Sequence, residues 1–204
     1  RPLAARRGDE LFPSMTAVAA TRPVSGRPPV WPMTVEAYHA LGEAGLIPED
    51  TELLHGIVYR KMSKSPQHSR LLMRLLRTLS AWVPSGFSVR PEQPLTLGDS
   101  EPEPDLAVVA GTEEDCPDAH PATAELVVEI CISSHGYDLD KLHAYAAAGV
   151  REVWLVLPAE RAVDVYREPQ NGAYSVTTRV TAPEALTSVA VPMVKVSLAE
   201  LFRA

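Results

Sequence analysis

Cysteine is nearly absent from this chain: of 204 residues only Cys116 and Cys131 carry a thiol. Two cysteines cannot staple a disulfide framework, so a reducing compartment is expected, with the cytoplasm as the default location. Cys131 closes an apolar run and reads as a small buried hydrophobe rather than a reactive thiol. Long hydrophobic runs are lacking too. None approaches the ~18–20 residues needed to span a bilayer, and the Arg-containing N-terminus has no apolar stretch of the secretory kind. Positive charge is in short supply, with a formal net charge of −7 and a pI near 5.4. A protein that grips phosphates ordinarily offers a basic face, so the bulk balance argues mildly against nucleic acid. A local basic patch can still exist on an acidic chain, and acids gathered around a metal add to the negative total. Several motifs are missing outright. Without a Walker A element or a dinucleotide glycine fingerprint, ATP and NAD have no support. The histidines His120, His135 and His143 show no metal-ligand pattern such as HExxH, and no zinc-finger or RRM signature occurs. Ser133-Ser134-His135 is not a nucleophile elbow.

What is present suits one globular domain: 46% hydrophobic residues and 22% charged residues, enough to bury a core at this length. Residues 1–32 are rich in Pro, Ala and Arg, with no periodicity, and read as a flexible leader ahead of a folded domain over residues 33–204. Met15 and Met33 are both candidate natural starts.

From Thr34 the pattern turns helical to about Gly45, with Val35, Tyr38 and Leu41 at helical spacing. Residues 52–60 read as a strand with a turn or bulge at Gly56. Pro66 opens a long helix whose stripe of Leu71, Leu72, Leu75, Leu76 and Leu79 ends near Val83. Residues 87–90 and 95–97 are short strand candidates. Residues 106–110 form a strand directly after Pro104-Asp105, and 111–121 an acidic loop. Residues 125–132 are apolar apart from Glu125 and Glu129, as befits a central strand buried on both faces. A helix over 137–148 stops at Gly149, and 152–157 is another buried strand. Residues 162–167 and 174–179 suggest a hairpin around Asn171-Gly172, and 197–202 a closing helix. With no internal repeat, this order predicts a mixed α/β domain with a central sheet flanked by helices.

The chemistry centres on two acids, Asp105 at the start of one strand and Glu129 inside the most apolar one. An acid among Val127, Val128 and Ile130 is costly to ionise without a partner. A divalent cation offsets that cost, because Mg²⁺ accepts carboxylates completed by water. Such a site polarises a phosphoryl oxygen and lowers the pKa of a bound water. The residues alone leave another reading open: Glu129 paired with a core Lys or Arg, and Asp105 as a turn acid.

The ordered pieces Glu101-Pro102-Glu103-Pro104-Asp105-Leu106, Glu125-Leu126-Val127-Val128-Glu129, Lys141-Leu142 and residues 145–156 (YAAAGVREVWLV) resemble the Uma2 (DUF820) family. Met33-Thr34-Val35-Glu36, Glu52-Leu53-Leu54-His55-Gly56 and Pro66-Gln67-His68 extend the resemblance over residues 33–202. It implies the PD-(D/E)xK, restriction-endonuclease-like fold and a DNA endonuclease using Mg²⁺ or Mn²⁺. Asp105 and Glu129 then match the metal acids, and Glu52 an acid that completes the site. Lys141 matches the motif lysine, displaced onto the following helix, where it would orient water or stabilise phosphate charge; a solvated helix lysine is the other reading. A homodimer is the expectation drawn from nucleases that cut two strands. The chain also departs from the family pattern. Cys131 occupies the usual lysine position, His55 replaces the Asp before Gly, and Leu157 replaces the Asp that ends the later strand. These departures support an alternative, a catalytically reduced or inactive scaffold acting as a DNA-binding or assembly module. His55 and His68 themselves read as turn or surface histidines.

DNA contacts are expected from residues 60–77, which hold six cations and no acid. Arg70, Arg74 and Arg77 share one helix face, and Lys64 precedes them. An ordinary solvated face is the competing reading.

Overall fold

The structure is a computed structural model that describes residues 30–115, 119–132 and 135–203. The chain divides into Arg1–Trp31 and Pro32–Ala204. The expected leader falls almost wholly outside the described residues, as do Cys116, Ser133, Ser134 and the His135 side chain. The elements of the fold belong to the second unit.

It opens with α1 (Val35–Glu43), whose first turn is capped by the Thr34 hydroxyl accepting from the Ala37 amide. Residues 52–60, expected as a strand with a turn or bulge at Gly56, form a hairpin, β1 (Thr51–Leu54) and β2 (Ile57–Arg60). His55 and Gly56 both have positive φ, 52° and 71°, the geometry of a two-residue hairpin turn. A Cβ on Gly56 would meet that of Pro32 at 2.5 Å. Helix α2 (Pro66–Trp82) follows, with Ser65 as N-cap and Pro66 in the first turn.

The central sheet has six strands in the order β3-β4-β5-β6-β7-β8: β3 (Phe87–Pro91), β4 (Leu106–Ala110), β5 (Leu126–Ile130), β6 (Glu152–Leu157), β7 (Ala162–Gln170) and β8 (Ala173–Thr181). All neighbours are antiparallel except β5 and β6, whose parallel pairing is bridged by α3 (His135–Ala147). Residues 95–97 do not form the expected strand. Leu97 makes an isolated bridge to Ser100 across a tight turn. The β7–β8 hairpin runs longer than its apolar core suggests, turning at Asn171-Gly172 as expected. A small pair, β9 (Ala185–Thr187) and β10 (Lys195–Ser197), and α4 (Leu198–Leu201) close the chain. The three-residue strands are too short to carry a legible period.

Alternation along the strands splits the core in two. Leu106, Val108, Leu126, Val128 and Trp154 pack against Leu71, Leu75 and Leu79 of α2 and Leu198 of α4. Ala107, Val109, Val127, Val153 and Leu155 pack on the opposite face with Ala144 and Tyr145 of α3. Glu129 has the parity of Val127 and therefore faces α3. Among the described residues no helix is long and apolar enough to cross a membrane.

Candidate active site

The antiparallel register that pairs Leu106 with Val128 brings Asp105 opposite Glu129, one step beyond the last paired residues. Backbone amides fix both carboxylates. Ile130 donates its N–H to Asp105 Oδ2 at 2.7 Å, and Asp105 donates its own to Glu129 Oε2 at 3.4 Å. The β4–β5 edge thus aims both acids into one cleft, a cavity of about 320 Å³ whose walls include Glu52, His68, Asp138 and Lys141.

Lys141 stands between two acids, its Nζ 3.2 Å from Glu129 Oε1 and 3.1 Å from Glu52 Oε2. Burial opposes its charge, but Glu129 and Glu52 outweigh burial and hold the ammonium protonated above the ordinary lysine range. Tyr145 donates its hydroxyl to Glu129 Oε1 at 2.6 Å. Glu52 Oε2 also accepts the Glu103 amide at 3.1 Å. Glu52 therefore joins the expected acids through Lys141. The lysine itself is a buried member of the cluster, not a solvated helix residue.

Negative charge is in excess here. Glu52, Asp105, Glu129 and Asp138 are all buried, against one buried ammonium. Burial above all, with Asp105 and Asp138 nearby, pushes the Glu129 carboxyl up to about 8 despite the opposing pull of Lys141. That is the environment a divalent cation relieves. Among the described residues no group of three or more His, Cys, Asp or Glu side chains gathers as a closed ligand set. Two carboxylates with open positions fit Mg²⁺, which keeps several waters and takes substrate phosphate oxygens as ligands.

His68 corrects the expectation of a surface histidine. It is buried, and its Nε2 lies 2.9 Å from Asp105 Oδ1. Its Nδ1 is a buried atom with no partner among the described residues. The signal was present in the spacing: His68, Leu71, Leu72, Leu75 and Leu79 share the inward stripe of α2. His55 stays at the hairpin turn, near Asp99 and the Asp140 carbonyl. Cys131 is buried and free, its thiol pushed up by burial, as a structural cysteine should be.

The cleft's rim cations are already engaged. Lys61 pairs with Glu103 at 2.8 Å, Arg60 with Asp50 at 2.7 Å, and Lys64 with Glu92. Arg70, Arg74 and Arg77 lie farther along α2. Arg74 spends its guanidinium on the carbonyls of Leu201 and Arg203, tying α2 to the chain's end.

No curated protein matches the chain. A crystal structure from Anabaena variabilis, described as "a putative nuclease belonging to DUF820", superposes with a TM-score of 0.67 at 22% identity, covering 84% of this chain and 98% of that one. At that identity the likeness establishes a shared fold. Residues 35–199 match the Uma2 family, whose description is "Putative restriction endonuclease". The match spans both acids, His68 and Lys141, and the chain belongs to the Uma2 family.

Proposed function

We propose that the protein is a metal-dependent endonuclease that hydrolyses phosphodiester bonds in DNA, its activity residing in residues 33–204. The observation that carries this reading is the pair Asp105 and Glu129, aimed by backbone amides into one cleft over an excess of buried acid. The family's description supports the reaction class.

Asp105 and Glu129 would hold Mg²⁺ or Mn²⁺, which supplies charge at a phosphoryl oxygen and acidifies a bound water. The chain's own groups do the rest. His68 steadies the Asp105 carboxylate through the close approach of its Nε2 to Oδ1, while each oxygen retains a lone pair for a ligand. Glu52 and Glu129 hold the Lys141 ammonium where it stabilises charge on the scissile phosphate. Lys61 and Lys64 on the rim exchange their carboxylates for backbone phosphates when DNA enters.

The test is cleavage of supercoiled plasmid and of a single-stranded circle with Mg²⁺, Mn²⁺ or EDTA. Wild type should cut only with a divalent ion, and Asp105→Ala and Glu129→Ala should not cut. Variants that cut as well as wild type would remove the assigned site. A wild-type protein that binds DNA yet cuts with no divalent ion would instead be the inactive scaffold that His55, Cys131 and Leu157 suggest.

A further inference from the structure

Fourteen Lys and Arg residues lie in residues 30–203. Ten of them have a side-chain partner: an acid, a backbone carbonyl or, for Arg90, His120. The four with no partner among the described residues are Arg70, Arg77, Lys195 and Arg203. They are not scattered. Arg77, Lys195 and Arg203 line one recess of about 420 Å³ between α2, β10 and α4, together with Arg74 and Trp82. Glu200 is the one acid on its walls. Arg70 is one turn before Arg74 on α2. Among the described residues, the cations whose side chains have no partner concentrate here.

We propose that this recess holds a segment of single-stranded nucleic acid, its phosphates on Arg77, Lys195 and Arg203 and a base stacked on Trp82. The inference rests on the nuclease reading and gives it a strand-holding subsite away from the cleft. Trp82 is 48% exposed, although a large apolar ring is normally covered. Its position beside three free cations is the pairing that single-strand binders use: charge tracks the backbone, and an aromatic face takes a base whatever its sequence. A duplex offers the same phosphates but no free base face, so the aromatic favours the single strand. Arg74, engaged with two carbonyls, holds the recess together rather than contacting the ligand. At 1.5 Å per residue, Arg77 lies ~14 Å along α2 from His68, so a bound strand extends well beyond the scissile phosphate.

The test is fluorescence anisotropy with a labelled oligothymidylate in EDTA, which separates binding from cleavage. Arg77→Glu and Lys195→Glu should each weaken binding by about tenfold at low salt and flatten the salt dependence by about one phosphate contact. Trp82→Ala should weaken single-strand binding by about five- to a hundredfold and change binding of the matching duplex far less. Arg151→Glu reverses a cation already paired with Glu125 and should have little effect. The inference is overturned if wild type does not bind the oligonucleotide, if Arg77→Glu and Lys195→Glu bind as wild type does, or if Arg151→Glu loses as much as they do. Equal loss of duplex and single strand in Trp82→Ala would overturn the stacking role. Recess-dependent binding by a protein that never cleaves would refute the nuclease reading alone. Cleavage by a protein whose binding ignores these variants would refute the recess alone.

Discussion

Asp105 and Glu129 are locked to one another's strand by reciprocal bonds: the amide after Glu129 binds Asp105 Oδ2 at 2.7 Å, and the amide of Asp105 reaches Glu129 Oε2 at 3.4 Å. The carboxylates are positioned before any ligand arrives, which lowers the ordering cost of binding. Calorimetric titration of wild type with Mn²⁺ should therefore show one site, absent in Asp105→Ala. Asp105→Asn retains the shape and loses the charge, so it should fold like wild type and bind metal far more weakly. Undiminished Mn²⁺ binding by both variants would place the ion elsewhere.

Lys141 supplies the only ammonium between Glu52 and Glu129, and all three side chains are buried. Lys141→Met strands two carboxylates, and breaking a buried pair from one side costs about 3–5 kcal/mol. Urea unfolding should register a loss of that order at neutral pH. The deficit should shrink on acidification, because protons neutralise the stranded acids. An unchanged midpoint would mean the lysine is solvated.

The acids were legible because an acid among valines has few explanations, and the antiparallel register then places Asp105 across from Glu129. Lys141 was legible only through the family pattern, since its distance from Glu129 in sequence hides a contact made by α3 folding back over β5. His68 stands at the helix entry, but its spacing with Leu71, Leu72 and Leu75 places it inward. The β1–β2 turn was legible at Gly56, but not that His55 also takes positive φ and completes a two-residue hairpin turn. Glu152 was invisible as a special residue, because strand parity points it toward α2 but says nothing about which loop will cover it.

Glu152 is a fully buried acid with no place in the cleft. Its carboxylate accepts from Trp154 Nε1, Arg167, the Ser188 hydroxyl and the amides of Val189 and Ala190. Burial pushes its pKa up, but the Ala190 amide, Ser188, Trp154 and Arg167 together pull it below the ordinary value. A depressed folded pKa contributes stability that is fully present above the unfolded value, about 4.3, and is lost as pH falls through the folded value. Glu152→Gln should destabilise the protein at neutral pH, and its gap from wild type should close in acid. The measurement is urea unfolding of both proteins from neutral pH to below 4. A gap constant across that range would show that the charge of Glu152 contributes nothing.

His68 acts on the site only through Asp105, so its removal should be felt in metal affinity before anything else. The imidazole Nε2 lies 2.9 Å from Oδ1, while the Ile130 amide holds Oδ2. His68→Ala leaves one oxygen unsupported and opens space behind it. Outer-shell partners of metal ligands typically contribute 10–100-fold in affinity, so Mn²⁺ affinity should fall by about that factor. His68→Gln can return a donor to Oδ1 from a side chain of similar reach and should recover part of the loss. A purely packing role predicts the reverse order of effects: both variants lower the melting temperature, and Mn²⁺ affinity of the folded protein stays at the wild-type value. Calorimetry on the folded variants, read beside their thermal unfolding, separates the two, since only an orienting contact to Oδ1 makes the glutamine variant the tighter metal binder at matched stability.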